Sequence, residues 1–224
     1  MELPECLAAS RQRAEAIARR LWSIEGRAVE PLSGGITNAN YKVTLPDGSR
    51  YVVRVFGGET NLLLINREVE ETATRIAASL GLGPAIIADL RDERALVLEF
   101  IEGSPITPQE MARPGALRRV ADALRKLHMG PPLPGVFDPF RVADAYYETA
   151  RRCGVGPEQT EDYRWARSLA ERIKSAVQFD ISSSCHCDLL NGNFLDDGTI
   201  RIWRSAANCP SGPRPDRKSL LTAF

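Results

Sequence analysis

The chain has 224 residues, 43% of them apolar, and its 29 basic and 29 acidic side chains give a formal net charge of zero. That length suffices for one large or two small domains with a proper core, and the charge balance gives no reason to expect nucleic acid as a partner. No apolar run approaches the ~18 residues of a membrane span, the acidic start Met1-Glu2-Leu3-Pro4-Glu5 is not a signal peptide, and five scattered cysteines argue against a disulfide framework and for a reducing cytoplasm.

Residues 7–22 read as an amphipathic helix, with Ala14, Ile17, Ala18, Leu21 and Trp22 on one face. Residues 29–43 then read as strand, loop, strand. The loop holds Ser33, Gly34, Gly35, Thr37 and Asn38. Glycines bring backbone N–H groups close to phosphate oxygens, and the hydroxyls and amide add donors. No Gly-Lys-Ser/Thr follows, so this is not a P-loop, and a plain hairpin turn reads equally well.

Pro46-Asp47-Gly48 marks a turn from a strand at 40–45 into Arg50 to Phe56. Arg54 stands inside that second apolar run. It either snorkels from an edge strand or faces the phosphates of a nucleotide, which Arg binds bidentately. A second helix over 66–80 carries Val69, Ala73, Ile76, Ala77 and Leu80 on its apolar face and opens with Glu68, Glu70 and Glu71. Glu68 is the expected partner of Arg54, with Glu71 in reserve, although acids also favour any helix N-terminus. Strands follow at 85–89 and 94–101. The second leaves the sheet at Glu99 to Ile101, either as backbone that hydrogen-bonds an adenine or as a core strand ending in a turn.

Helices dominate from 104 to 180. Thr107-Pro108-Gln109-Glu110 is a capping box, and Leu117, Val120, Ala121, Leu124 and Leu127 continue at helical spacing to His128, read as a helix-end residue. Asp138-Pro139 caps another helix, and Pro157 opens one that carries Trp165, Leu169, Ile173 and Val177. Strands followed by helices predict an α+β, two-lobed arrangement with a cleft between the lobes.

The stretch from Cys185 to Gly198 contains His-x-Asp-x-x-x-x-Asn, from His186 through Asp188 to Asn193. Kinases that move a phosphoryl group from ATP to a hydroxyl use this spacing: the Asp orients the attacking hydroxyl and the Asn reaches the metal. A hairpin at Asp196-Asp197-Gly198 and a strand from Thr199 to Trp203 follow. Cys185-His186-Cys187 lacks the second ligand pair of a zinc site.

Taken in order, Leu32 to Asn38, Val53-Arg54-Val55-Phe56-Gly57, Ile65-Asn66-Arg67-Glu68, Leu127-His128 and Cys185 to Phe194 make the chain resemble the choline/ethanolamine kinase family of the aminoglycoside phosphotransferase superfamily, over about residues 28–202. Arg54 in place of Lys, and Leu189-Leu190 after Asp188, point to the choline kinase branch. The resemblance implies a protein-kinase-like fold. Its parts would be an N-terminal helix (1–26), a small antiparallel-sheet lobe for the nucleotide (27–103), an incomplete helical lobe (104–202) and a disordered basic tail (203–224). It implies ATP- and magnesium-dependent phosphorylation of a small amino alcohol in the cytoplasm, with an aminoglycoside or thiamine as alternative acceptors. Asp188 would be the base, His186 would brace the catalytic loop, and Asn193 with Asp188 would hold magnesium. Ser33, Gly34, Gly35, Thr37, Asn38, Arg54, Glu68, Glu99 and Ile101 would hold the nucleotide.

Two departures stand out. Cys187, Asn191 and Gly192 replace the Asn, Pro and Ala of the family's His-Asn-Asp-Leu-Leu-Pro-Ala-Asn. After Ile200-Arg201-Ile202 the family has an aliphatic residue and then Asp-Trp-Glu, its principal metal ligand being that Asp; here Trp203-Arg204-Ser205 stands. From Arg201 onward five basic residues face one acid, a net of +4, without periodicity. This predicts a reading-frame change near codons 203–204, testable by re-reading the coding DNA in the other frames. It also predicts a chain that keeps the family's fold and loses turnover: a nucleotide-binding pseudokinase, or a product that folds poorly and exposes the apolar faces of its helices.

Overall fold

The Pro46-Asp47-Gly48 turn fixes the register of the hairpin that it closes. Ser49 N–H is held by Asp47 Oδ1 at 2.8 Å, and Gly48 takes φ +86°, a backbone that glycine adopts without strain. The flanking strands β2 (Asn38–Thr44) and β3 (Arg50–Phe56) therefore pair antiparallel with Thr44 opposite Arg50 and Asn40 opposite Arg54. The computed structural model describes residues 3–23, 25–32, 38–57, 66–133, 137–155, 160–176, 184–202 and 209–210. Among them, β1 (Ala28–Leu32), β4 (Ile86–Leu90) and β5 (Ala95–Glu99) complete an antiparallel sheet in the order β1-β2-β3-β5-β4.

The period of two along β3 assigns its side chains. Val53 and Val55 join Tyr41, Val43 and Val97 under helix α1 (Leu3–Leu21), whose Ala14, Ile17 and Ala18 are buried against them. Each large side chain so buried contributes about 1.5–3 kcal/mol. Trp22 closes this core by stacking on Tyr51, ring centres 4.6 Å apart. Val52 and Phe56 lie on the opposite face with Leu96 and Leu98. Arg54, between them in the alternation, belongs to that second face. There α2 (Arg67–Ser79) begins, its N-cap Asn66 accepting hydrogen bonds from the N–H groups of Glu68 and Val69.

The chain leaves the sheet through Gly103 at φ +151°. Strand β6 (Ser104–Pro105) pairs with β8 (Phe194–Asp196), and β8 with β9 (Ile200–Ile202) through the Asp197-Gly198 turn. Thr107 and Glu110 form the expected reciprocal capping box, but one continuous helix does not follow. Pro114, without an N–H and extending the residue before it, splits the run into α3 (Pro108–Met111) and α4 (Pro114–His128). The buried face of α4 is Ala116, Val120, Ala123 and Leu127, while Leu117 and Ala121 are exposed. This face packs with Leu82, Ile106, Phe194, Ile200 and Ile202.

Helices α5 (Pro139–Arg152, capped by Asp138) and α6 (Glu161–Ala176) bury none of their described side chains, and Tyr146, Trp165 and Ile173 are exposed. No described helix is long and apolar enough to cross a membrane. A short pair, β7 (Ser184–Cys185) with β10 (Cys209–Pro210), flanks the His186 region. The expectations for Pro157, Val177, Trp203, Arg204 and the basic tail outside β10 fall outside the described residues, as do those for Ser33, Gly34, Gly35 and Thr37.

Candidate active site

The sheet side of the site is built on Arg54, which is 4% exposed. Asn40, its cross-strand partner, accepts from Arg54 Nε at 3.2 Å. Its ion-pair partner is Glu70, with Nη1–Oε1 at 3.4 Å. This corrects the expected pairing with Glu68. Two residues along a helix turn the side chain through about 200°, so Glu68 points to solvent, 82% exposed, and among the described residues pairs with Arg91 at 4.0 Å. Glu71, the reserve, pairs with Arg75 and Arg91. Glu70 also accepts from Asn38 Nδ2 at 3.2 Å and from Arg67 Nη1.

Asn40 is a functional candidate that the sequence reading missed, and Glu70 is one of the three acids it offered for Arg54 but did not favour. The hairpin turn already placed Asn40 opposite Arg54. Glu70, three and seven residues before Ala73 and Ala77, lay on the apolar stripe of its helix.

The loop side begins at His186, 3% exposed, its ring 5.8 Å from that of Phe194. Cys187 takes φ +64°, a left-handed backbone uncommon for a residue with a Cβ and often found at functional sites. The chain thereby reverses, and the Asp188 N–H donates to His186 Nδ1 at 3.3 Å. This bond links the buried ring to the loop, while Asp188 itself is exposed. Cys187 is also disulfide-bonded, against the expectation of unpaired thiols.

Asn193, on the 3-10 turn Asn191–Asn193, is 2% exposed and donates from Nδ2 to Asp188 Oδ2 at 2.8 Å and to the Asp188 carbonyl at 2.9 Å. A carboxylate only accepts, so it is the nitrogen of Asn193 that faces Asp188, and Oδ1 lies on the other side of the amide. A carboxylate and a carboxamide oxygen are hard donors of the kind magnesium takes, commonly one or two from protein with phosphates and water completing the shell. The donor chemistry fits that ion. Among the described residues there is no cluster of three or more His, Cys, Asp and Glu side chains suited to a metal. Asp196 and Asp197 are engaged elsewhere, with Arg119 and Arg201.

The two sides meet. Arg54, Ala73, Thr74 and Ala77 from the sheet lobe line one small cavity of about 30 Å³ with Leu127, Leu133, Cys185, His186 and Ile202. It is too small for a nucleotide. Ile202 N–H donates to the Leu82 carbonyl, and Arg201 Nη1 to the Gly81 carbonyl at 2.7 Å, tying β9 to the end of α2. At the end of β5, Glu99 N–H donates to the Ala85 carbonyl at 2.9 Å, and Glu99 Oε2 accepts from Ala85 N–H.

The model of a phosphotransferase enzyme family matches residues 28–202. A protein of Arabidopsis thaliana named "Probable ethanolamine kinase" is 27% identical over 182 residues, which is 75% of this chain and 48% of that protein. The chain thus spans about half the length of that relative. A choline/ethanolamine kinase family protein from Mesorhizobium loti is 28% identical, with a TM-score of 0.67 over 89% of this chain and 65% of its own. The choline kinase LicA from Streptococcus pneumoniae is 26% identical, with a TM-score of 0.69 over 89% and 71%.

Proposed function

The chain belongs to the phosphotransferase enzyme family, and from that premise we propose that it is an amino-alcohol kinase of the choline/ethanolamine type, passing the γ-phosphoryl group of ATP to a hydroxyl in the cytoplasm. The observation that carries this reading is that Arg54 and the brace of the Asp188 loop, His186, line one cavity. Arg54 is the phosphate-facing cation, kept in place by Glu70 and Asn40. Asp188 accepts or orients the proton of the attacking hydroxyl, and its exposure leaves it open to an acceptor. His186 and Asn193 hold the loop so that this carboxylate keeps one position. Asp188 and Asn193 are the residues that would hold magnesium, which when bound neutralises phosphate charge. Phosphoryl transfer asks little covalent work of a protein, so positioning and charge are the main contributions. An amino alcohol is favoured as acceptor because the relatives named above are choline and ethanolamine kinases.

A second reading is a nucleotide-binding pseudokinase, favoured by Trp203-Arg204-Ser205 where the family carries its metal-binding Asp. Thermal shift with ATP, with and without magnesium, combined with turnover of ethanolamine and choline, separates the two. A magnesium-dependent shift with turnover supports the kinase. A metal-independent shift without turnover overturns it in favour of the pseudokinase, and the absence of any shift overturns both.

A further inference from the structure

Every residue from Cys187 to Leu190 is exposed, so this part of the loop has little packing to fix it. The chain is tied on either side. The Ser184 hydroxyl donates to the Pro131 carbonyl at 2.8 Å, and the Asn191 amide donates to the Ile106 carbonyl at 2.7 Å. Between these ties Asp188 is held by His186 and Asn193, and Cys187 by a disulfide.

Cys187 is where the chain reverses, at φ +64°. That left-handed region is visited mainly by glycine, asparagine and aspartate, and a cysteine has no short polar oxygen to offset the crowding of its Cβ. The bridge also stands by itself: of the five cysteines, Cys153 and Cys185 are thiols. Exposed disulfides are the ones that ambient thiols reach, and in a reducing compartment disulfides are rare and mostly transient or redox-sensing.

We propose that Cys187 is a redox modification site that sets the position of Asp188. In the oxidised chain the bridge pins the left-handed turn, and the Asp188 carboxylate stays on Asn193. Reduction is a thiol–disulfide exchange with a dithiol. One thiolate of the reductant attacks a sulfur of the bridge, and its second thiol resolves the mixed disulfide. Two electrons pass to the bridge, the reductant leaves as a disulfide, and two protons end on the two released cysteine sulfurs. Cys187 then leaves the left-handed region, the Asp188 N–H parts from His186, and the carboxylate is no longer fixed. A small-molecule disulfide reverses the step. The proposal deepens the reading of Asp188 as the base and rests on it.

The test is amide hydrogen exchange of the full chain by NMR with and without dithiothreitol, beside thiol alkylation and peptide mapping that report the state of Cys187. Cys187 is expected to resist alkylation before reduction and to be labelled after it. The amides of Asp188 and Asn193 are expected to exchange about tenfold faster once the bridge is reduced, with those of β3 unchanged. Cys187→Asn, which suits the left-handed backbone, should keep slow exchange and ignore the reductant, whereas Cys187→Ser should exchange fast with or without it. Cys153→Ser should behave as the parent. Full alkylation of Cys187 in the unreduced chain overturns the proposal, as do loop amides that reduction leaves unchanged or an acceleration that extends to β3. Turnover of choline and ethanolamine on the same samples separates this from the reading of Asp188. Turnover that falls on reduction in the parent but not in Cys187→Asn supports both. Exchange that responds to the dithiol in a chain without turnover supports the redox site and sinks Asp188 as a working base.

Discussion

Asn193 holds Asp188 at two points, its side-chain Oδ2 at 2.8 Å and its backbone carbonyl at 2.9 Å, both through one amide nitrogen. The base of the proposed reaction is thus restrained by a residue that is itself buried. Asp188→Asn keeps an acceptor toward Asn193 and removes the charge, so kcat for an amino alcohol is expected to fall about 10²–10⁴-fold while the melting temperature stays within error. Asn193→Ala removes both hydrogen bonds to Asp188 and the buried amide that makes them, and is expected to cost about 1–3 kcal/mol in stability as well. Steady-state kinetics beside denaturant melts of both variants check this; equal stability losses in the two would contradict it.

The choice of Glu70 over Glu68 is open to a direct stability comparison. Glu70→Leu leaves Arg54 buried without its carboxylate, and breaking a buried pair from one side costs about 3–5 kcal/mol. Glu68, 82% exposed, sits at the end of a loose pair with Arg91. Glu68→Gln is therefore expected to change stability by no more than about 0.5 kcal/mol. Urea melts of the two variants decide it, and a larger loss for Glu68→Gln would return the pairing to that residue.

These two cases show where the sequence speaks and where it is silent. Asp188 and Asn193 are close in the chain, so that both could face one side was legible from their spacing, whereas the place of His186 against the loop came only from the family resemblance. The register of Asn40 against Arg54 was legible too, because the Pro46-Asp47-Gly48 turn dictates it. Glu70 was obscured by a competing cause: acids collect at helix N-termini for the dipole's sake, and three of them stood together. The break at Pro114 was hidden by apolar residues that kept their helical spacing across it. The hydrogen bond from Glu99 to Ala85 depends on how β4 meets β5, where the register shifts between Ile86 and Ala88, and no local pattern announces that.

Gly103 carries the passage from sheet to helices, and space around it is closed. A Cβ there would stand 3.0 Å from the Asp196 carbonyl oxygen and 3.2 Å from its carbon, both backbone atoms, at a φ of +151°. Gly103→Ala is expected to cost about 1–3 kcal/mol. Gly115, near the start of α4, has nothing within 4 Å of its added Cβ. Gly115→Ala is expected to be neutral or to stabilise by up to about 1 kcal/mol, since alanine narrows the unfolded ensemble and favours helix. Paired thermal melts test the contrast, and equal effects would mean that the β6–β8 contact is not held as tightly as its geometry implies.

Arg119 on α4 reaches across to Asp196 at the end of β8 and binds both of its carboxylate oxygens, Nη1–Oδ1 at 2.8 Å and Nη2 to Oδ2. The hydrogen bonds from Arg119 hold the Asp196 carboxyl below its ordinary value of 3.8, against a smaller opposing effect of burial. A carboxylate with a depressed folded value binds fewer protons folded than unfolded, so its contribution to stability is full above the unfolded value and is lost as pH falls through the folded one. Both side chains are partly exposed, at 45% and 30%, and solvent and salt screen them, so the pair contributes little. Arg119→Met is therefore expected to lower stability slightly at pH 7. The gap between variant and parent should begin to close as pH drops toward 3.8 and should vanish below the folded value, where Asp196 is neutral in both. Raising ionic strength should narrow the gap at pH 7 as well. Urea melts between pH 7 and pH 3 would show this, and a gap that stays constant over the whole range would mean that Arg119 supports the hairpin through the packing of its stem and not through its charge.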